Sequence, residues 1–376
     1  MYRTIQKYIC LFLLISLSSL VLAEEKNSTS RKSVQKKGDD FVTGADISLL
    51  QRIDDSGYNY KSKGQAKDAL DIFKEHGFDY MRLRIFHSPS GKGPVVNSLD
   101  YTVKLAKRIK NANLKFLLDF HYSDTWADPA HQIKPKAWEG LSFPQLEKTV
   151  YQYTKDVMIR LKEENVFPDM VQIGNEITPG FIWDDGKIYV KDHEPNWKDF
   201  TALVKAGVKG VRDSCNKDDK IKIMIHVDSG GNKDKCKHFY DKIIEYDVPF
   251  DVIGLSYYPW WHGTMQDLEK NLISLSDRYK KDIYVVEAAY PWKGGYPDPQ
   301  RKNLQPPFPV TRQGQADYFK KLLQTTKNIP GGKIKGLFYW APEWVAVDGV
   351  GKNWANKAMF DDDGQALPVF EVFNEY

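Results

Sequence analysis

From Phe41 onward the chain alternates short, nearly continuous apolar runs with longer stretches in which apolar residues recur at three and four positions. The runs are FVTGADIS (41–48), YMRLRIF (80–86), KFLLDFHYS (115–123), MVQIGNEI (170–177), KIKIMIHVD (220–228), DVIGLSYYP (251–259), IYVVEAAY (283–290) and IKGLFYWAP (334–342). Between them, stretches such as AKDALDIFKEHG, YTVKLAKRIKNA, FPQLEKTVYQYTKDVMIRLKEE, WKDFTALVKAGVKGVRDS and GQADYFKKLLQTTKNI carry the period of amphipathic helices. Continuous apolar strands separated by helices predict a parallel sheet with helical cover. Eight such units favour an α/β fold closed into a (β/α)8 TIM barrel, a single domain over residues 41–376. An open doubly wound sheet would need a glycine-rich phosphate turn after its first strand, and GADISLLQR has none.

The chain before Phe41 is of another kind. Residues 1–23 combine basic Arg3 and Lys7, an apolar run from Ile9 to Leu22 and small Ala23, the pattern of a signal peptide. The run is short for a bilayer span, so the expectation is a secreted or exported protein with no membrane span after cleavage. Residues 24–40 are polar, lysine-rich and without apolar period, which predicts a disordered tether. Loss of the two cations Arg3 and Lys7 lowers the formal charge from +4 to +2, too little for a nucleic-acid footprint. Of three cysteines, Cys10 leaves with the leader. Cys215 and Cys236 flank the fifth strand run, which puts one below the barrel and one above, beyond disulfide reach.

Aromatic residues make up 13% of the chain and include ten Trp, enough to fill core and to provide stacking platforms for sugar rings. In a barrel of this type the C-terminal strand ends form the active site. Polar and aromatic residues gather there in run order: Asp46, Arg84, His121, Asn175 with Glu176, His226 with Asp228, Tyr258, Glu287 and Trp340. A lone His or Arg at a strand end is usually a structural partner, but the set as a whole does not read as packing. Glu176 and Glu287 each follow an apolar run directly, and burial beside a second carboxylate raises a carboxyl pKa until one of the pair keeps its proton. A pair about 5–5.5 Å apart performs retaining glycoside hydrolysis.

The runs GADISLL, MRLRIF, LLDFHYSDTWADPAHQIKPKAW, VQIGNEITPG, HVDSGGN, FDVIGLSYYPWWHG, VVEAAYPW and GLFYWAPEW resemble glycoside hydrolase family 53, the endo-β-1,4-galactanases, from about Phe41 to Phe373. DFHYSDTWADP and SYYPWWHG are the most specific of these. The resemblance implies Glu176 as acid/base, Glu287 as nucleophile, and Asn175 as a ligand of the sugar hydroxyl next to the anomeric carbon. It also implies that Arg84 and Tyr258 hold Glu287 ionised, that His121 lies near the cleaved sugar, and that this sugar stacks on Trp340. Trp126, Trp260 and Trp261 lie in loops after the third and sixth runs, where they line further subsites or pack the loops. Asp124 and Asp128 cap turns or bind sugar hydroxyls, and Asp46, His226 and Asp228 are further substrate-binding candidates.

Bacterial relatives with an aspartate-rich calcium loop after the seventh strand differ from this chain, where PWKGGYPDPQRKNLQPPFP holds Asp298 as its only acid. No calcium is therefore predicted there. DDDG at 361–364 reads as a turn or solvated acidic patch, no HExxH motif provides zinc, and no cofactor is predicted. The implied substrate is β-1,4-galactan or arabinogalactan, cut by a monomer. Other readings are a retaining endo-glycanase on mannan or a glucan, a carbohydrate-binding barrel without catalysis, which should lack one carboxylate, and a structural surface barrel.

Overall fold

The computed structural model describes residues 41–294 and 306–375. Among these, Val42–Asp46 (β1), Tyr80–Ile85 (β2), Lys115–Phe120 (β3), Met170–Ile173 (β4), Lys222–Val227 (β5), Val252–Ser256 (β6), Asp282–Ala288 (β7) and Ile334–Trp340 (β8) close into one parallel barrel. Each strand pairs with the next in the chain, and β8 pairs back onto β1. The strands fall inside the eight apolar runs, except that β7 begins one residue early at Asp282. Several runs overshoot at their C-terminal ends, because the last residues already belong to the loops of the mouth.

The cover consists of Ala69–Glu75 (α1), Leu99–Asn111 (α2), Phe143–Glu163 (α3), Trp197–Ser214 (α4), Lys233–Glu245 (α5), Met265–Tyr279 (α6), Arg312–Lys327 (α7) and Val369–Asn374 (α8). Most start where a short polar side chain satisfies a first-turn N–H: Asp68 accepts from Leu70, Ser98 from Tyr101, Asn196 from Asp199, Asn232 from Lys235 and Thr311 from Gly314. Thr264 and Asp267 form a reciprocal capping box on α6. Cys215 caps the end of α4 and Cys236 lies within α5, on either side of β5, and both are free thiols. None of the helices among the described residues is long and apolar enough to cross a membrane.

Inside the barrel the period of two along each strand sorts residues into layers. The lower layer is apolar: Tyr80, Leu117, Met170, Met224, Val252, Tyr284, Val286 and Phe338 pack as one cluster. Two residues further along β2, β3, β4 and β5 come Arg82, Asp119, Gln172 and His226, all fully buried. Gly44 leaves room for the plug, since a Cβ there would sit 2.4 Å from the Phe338 ring.

Two breaks in regularity carry residues into the mouth. On β7, pairing with β6 steps from Leu255↔Val285 to Ser256↔Glu287, so Val286 is bulged. Strict alternation from Tyr284 would send Glu287 outward to the helices; the extra residue returns it to the barrel interior. After β4, Gly174 (φ 77) and Glu176 (φ 49) are left-handed. Gln132 Nε2 donates to Asn175 O at 2.8 Å and Ile177 N donates to His226 O at 3.1 Å, fixing a backbone that costs about 1–3 kcal/mol for a non-glycine residue.

Gly44→Val should press its side chain into the Phe338 ring and lower stability by about 1–3 kcal/mol. A thermal melt followed by circular dichroism measures this, and an unchanged midpoint would mean that the plug can yield.

Candidate active site

At the C-terminal mouth lies a cleft of about 570 Å³. Its walls include His121, Trp126, Asp128, Asn175, Glu176, Asp228, Tyr258, Glu287 and Trp340, so the structure brings these residues of the sequence reading together. Trp261, His262 and Trp354 also line it, with Ala127, Pro129 and Ala130.

Glu287 is only 5% exposed. Arg82 Nη1 stands 2.8 Å from its Oε1 as an ion pair, without the alignment of a hydrogen bond, and Tyr258 donates its hydroxyl to Oε2 at 3.0 Å. Burial, aided by the charges of Asp46 and Asp119, pushes the carboxyl up to about 7, while Arg82 and Tyr258 work against that rise. Glu176 is half-buried, and no cation of the described residues is among the main influences on its carboxyl. Burial and the charges of Glu287 and Asp228 hold its carboxyl well above the usual range, against a hydrogen bond from Ser256 that favours the ionised form. A proton shared by the pair therefore resides on Glu176.

Arg82 organises the floor. Nη1 donates to Asp46 Oδ2 at 2.8 Å, and Nη2 donates to Asp119 Oδ2 at 2.8 Å and Asn175 Oδ1 at 2.9 Å. Burial disfavours its charge, but Asp119, Glu287 and Asp46 hold it protonated beyond an ordinary arginine. Asn175 Oδ1 is thus occupied, and Nδ2 gives one hydrogen to Ala127 O at 2.8 Å, which leaves its second hydrogen for the cleft. His121 Nδ1 accepts from Ala127 N at 2.9 Å, so Nε2 carries the proton donated to Asp119 at 3.0 Å. His121 therefore lines the cleft with both ring nitrogens already occupied. Trp340 meets Trp354 perpendicularly at 4.7 Å, which makes an aromatic corner beside the carboxylates.

Several sequence expectations need correction. Arg84 does not hold Glu287: Asp46 Oδ1 lies 3.4 Å from its Nη1, Asn97 accepts from its Nε at 3.2 Å, and its guanidinium lies 4.0 Å over the Trp126 ring. Arg82, one alternation lower, reaches Glu287 instead. Trp260 is fully buried, packed 5.3 Å from the Tyr258 ring. It shares the short helix Pro259–His262 with Trp261, and neighbours about 100° apart on a helix cannot both face the cleft. Asp124 lies outside the wall and accepts from Ser88 N and Lys136 N, both at 2.9 Å, closing a loop. Asp46 lies beneath the wall, bound to Arg82 and Ser48. His226 is completely buried between Ser256 Oγ at 2.9 Å and Asn175 Oδ1 at 3.1 Å, and burial holds it neutral, well below an ordinary histidine.

The sequence reading omitted Arg82, Asp119 and Gln172, although the same alternation marks them two positions before Arg84, His121 and Gly174. Ser256 and His262 lie in SYYPWWHG without having been singled out, and Trp354 carried no comparable signal. In DDDG, Asp361 Oδ1 accepts from Asp363 N at 3.1 Å and Gln365 N at 2.9 Å, while Arg312 stands 3.0 Å from Oδ2, so the run forms a turn. Asp298 lies outside the described residues. Among the described residues no group of three His, Cys, Asp or Glu is arranged to hold a metal ion.

A parallel barrel with two glutamates, an arginine floor and an aromatic corner at its mouth is the frame of a glycoside hydrolase. The model of glycosyl hydrolase family 53 matches residues 42–373, and the chain belongs to that family. It is 45% identical to a Niallia circulans protein described as an uncharacterized protein in the bgaB 5′ region, over 89% of this chain and 94% of that one. It is 34% identical to the arabinogalactan endo-beta-1,4-galactanase of Cellvibrio japonicus, over 89% and 90%. The solved family 53 catalytic domain of Ignisphaera aggregans superposes with a TM-score of 0.82 at 37% identity, covering 90% of this chain and 97% of that one.

Arg82→Met would leave Asp119 buried without its cation and Asp46 with Arg84 alone, a loss of about 3–5 kcal/mol. Urea unfolding should show it as a lower midpoint at an unchanged slope, and a midpoint within error of the parent would remove Arg82 from its central place.

Proposed function

We propose that this protein is a retaining endo-β-1,4-galactanase acting on galactan or type I arabinogalactan, with Glu287 as nucleophile and Glu176 as acid/base. The observation that carries the reading is the unequal setting of two carboxyls in one cleft: Glu287 beside a guanidinium, Glu176 beside two further acids. The substrate is supported by the family and by the galactanase relative from Cellvibrio japonicus.

In the first step a Glu287 carboxylate oxygen attacks the anomeric carbon, the bond to the leaving oxygen breaks, and Glu176 passes its proton to that oxygen. In the second, Glu176 takes a proton from water, the water oxygen attacks the anomeric carbon, and the ester to Glu287 breaks. Asn175 directs its free N–H to the neighbouring sugar hydroxyl, and Trp340 carries the ring. The reading extends to the rest of the chain: residues 1–23 as a leader that exports the protein, 24–40 as a polar tether, and the barrel acting as a monomer.

Glu287→Ala should reduce release of reducing ends from galactan by on the order of 10⁴-fold while galacto-oligosaccharide still binds. Parent-like activity would reject the nucleophile, and preference for mannan, xylan or cellulose over galactan would reject the substrate. Proton NMR of early products should show the β anomer first, and an α anomer would mean inversion.

The pH profile follows from the two settings. Activity requires Glu287 ionised and Glu176 protonated, so kcat/KM should rise with pH through the Glu287 titration, near 7, and fall again as Glu176 loses its proton above it. Asp228→Asn removes one charge that favours the Glu176 proton and should move the alkaline limb to lower pH. An alkaline limb unmoved or shifted upward would contradict this assignment.

A further inference from the structure

Glu343 is a fully buried acid that the proposed reaction does not use. It lies three residues past Trp340, where β8 ends, so its backbone is set by loop contacts and not by the sheet. Between the two, Ala341 takes a left-handed backbone (φ 54) and donates its N–H to Asp46 O at 3.1 Å. Leu49 N, in the loop after β1, donates to Glu343 Oε1 at 2.9 Å. Tyr60, further along the same connection, donates its hydroxyl to the Glu343 carbonyl at 2.8 Å.

Both neighbours of this link belong to an aromatic group at the cleft. Trp344, next in the chain and buried, stacks on Trp126 at 6.1 Å and meets Trp340 at 6.3 Å. Trp126 and Trp340, which line the cleft, meet at 6.0 Å. On the other side of the link, Ser48 donates its N–H and its hydroxyl to Asp46 Oδ1 at 3.2 and 2.6 Å. Asp46 pairs with Arg82, which stands 2.8 Å from Glu287.

We infer that Glu343 is a positioning residue: its carboxyl, held by Leu49 N, sets the three indoles Trp126, Trp340 and Trp344 in register with the Asp46–Arg82–Glu287 group. The inference rests on the reading above, in which Trp340 carries the sugar that Glu287 attacks. A sugar stacked on one wall and attacked from another needs the two walls at a fixed distance, and the loop after β8 has no ladder bond to provide it. The acceptor, not the charge, makes the link. Burial and the charge of Asp46 push the Glu343 carboxyl up to about 8, against Leu49 N, its own N–H and Arg84, so near neutrality it is an uncharged acceptor. Tyr60 and Tyr101, which also stand in its field, are raised as well and stay neutral there. An amide of the same length is therefore its isostere.

The test measures kcat and KM on β-1,4-galactotetraose for three variants. Glu343→Met removes the acceptor and Glu343→Asp draws it back by one methylene; each should raise KM by roughly tenfold with kcat within about threefold of the parent, because stacking holds the sugar alike before and in the transition state. Glu343→Gln keeps reach and acceptor and should hold KM within about threefold of the parent. Near-ultraviolet circular dichroism, which reports the mutual setting of the indoles, should change in the first two and recover with glutamine. If Glu343→Met does not fold, Glu343→Asp against Glu343→Gln carries the comparison. Parent-like KM in Glu343→Asp, or a rise in Glu343→Gln as large as in Glu343→Asp, would overturn the inference. So would a loss confined to kcat that follows a lower melting temperature, since that is the mark of a residue serving the fold alone. Failure of the underlying reading looks different: the parent would release no reducing ends from galactan, or Glu287→Ala would stay active.

Discussion

The architecture of the mouth depends on one buried guanidinium. Arg82 enters the barrel from β2 and touches residues from four other strands or their ends: Asp46, Asp119, Asn175 and Glu287. A cation at that depth is tolerable only because carboxylates surround it, and those carboxylates are tolerable only because of the cation. Asp119 in turn fixes the ring of His121, and Asn175 is oriented by the same Nη2. Positions far apart along the chain are coupled here through a single fork.

The count of charges around that fork explains the state of the cleft. Arg82 and Arg84 face Asp46, Asp119 and Glu287, so two cations meet three carboxylates. The excess negative charge, added to burial, accounts for a Glu287 carboxyl raised to about 7 even with a guanidinium in contact. Glu343, fully buried behind Asp46, is raised further by burial and by that aspartate, to about 8, with Leu49 N donating to its Oε1 at 2.9 Å. Glu176 lies outside that cationic group, and the charges that act most on it, those of Glu287 and Asp228, are of its own sign. Two chemically identical side chains are thereby made unlike by what stands behind them, the separation that acid and nucleophile require.

Much of this was legible in the sequence, because it follows from periodicity. The eight apolar runs, the helical stretches between them and the clustering of polar residues at strand ends specify the barrel and its mouth without coordinates. Legibility failed where depth or rotation mattered. In MRLRIF both arginines point inward, and periodicity does not say which reaches Glu287; the answer depends on Trp126 and Asn97 occupying Arg84. In PWWH the pattern does not say which indole faces outward. Asp124 has the composition of a sugar ligand and the geometry of a loop closure. Trp354 stands in no quoted motif and enters only through long-range packing, and Ser256, although it opens SYYPWWHG, is one hydroxyl whose bond to Glu176 only the fold reveals.

The two glutamates share a property that periodicity conceals. Each stands at a break in regular backbone: Glu287 one residue after a bulge, Glu176 in a left-handed turn two residues after Gly174. A regular strand presents side chains at fixed depth and at every second position, and neither suits two carboxyls that must converge on one sugar from different walls. At β7 the extra residue reverses the parity, so a residue that alternation would assign to the helical layer faces the cleft instead. At β4 the strand stops at Ile173 and the reversal carries the next acid into the opening, with Gln132 and His226 O bracing the turn. The surrounding barrel can hold such irregular backbone because its neighbours over-determine it, through the apolar plug below and the Arg82 fork beside it. Rigidity of the common fold and local departure from it are thus two halves of one device: the first fixes the walls, and the second brings the reactive groups out of register with them.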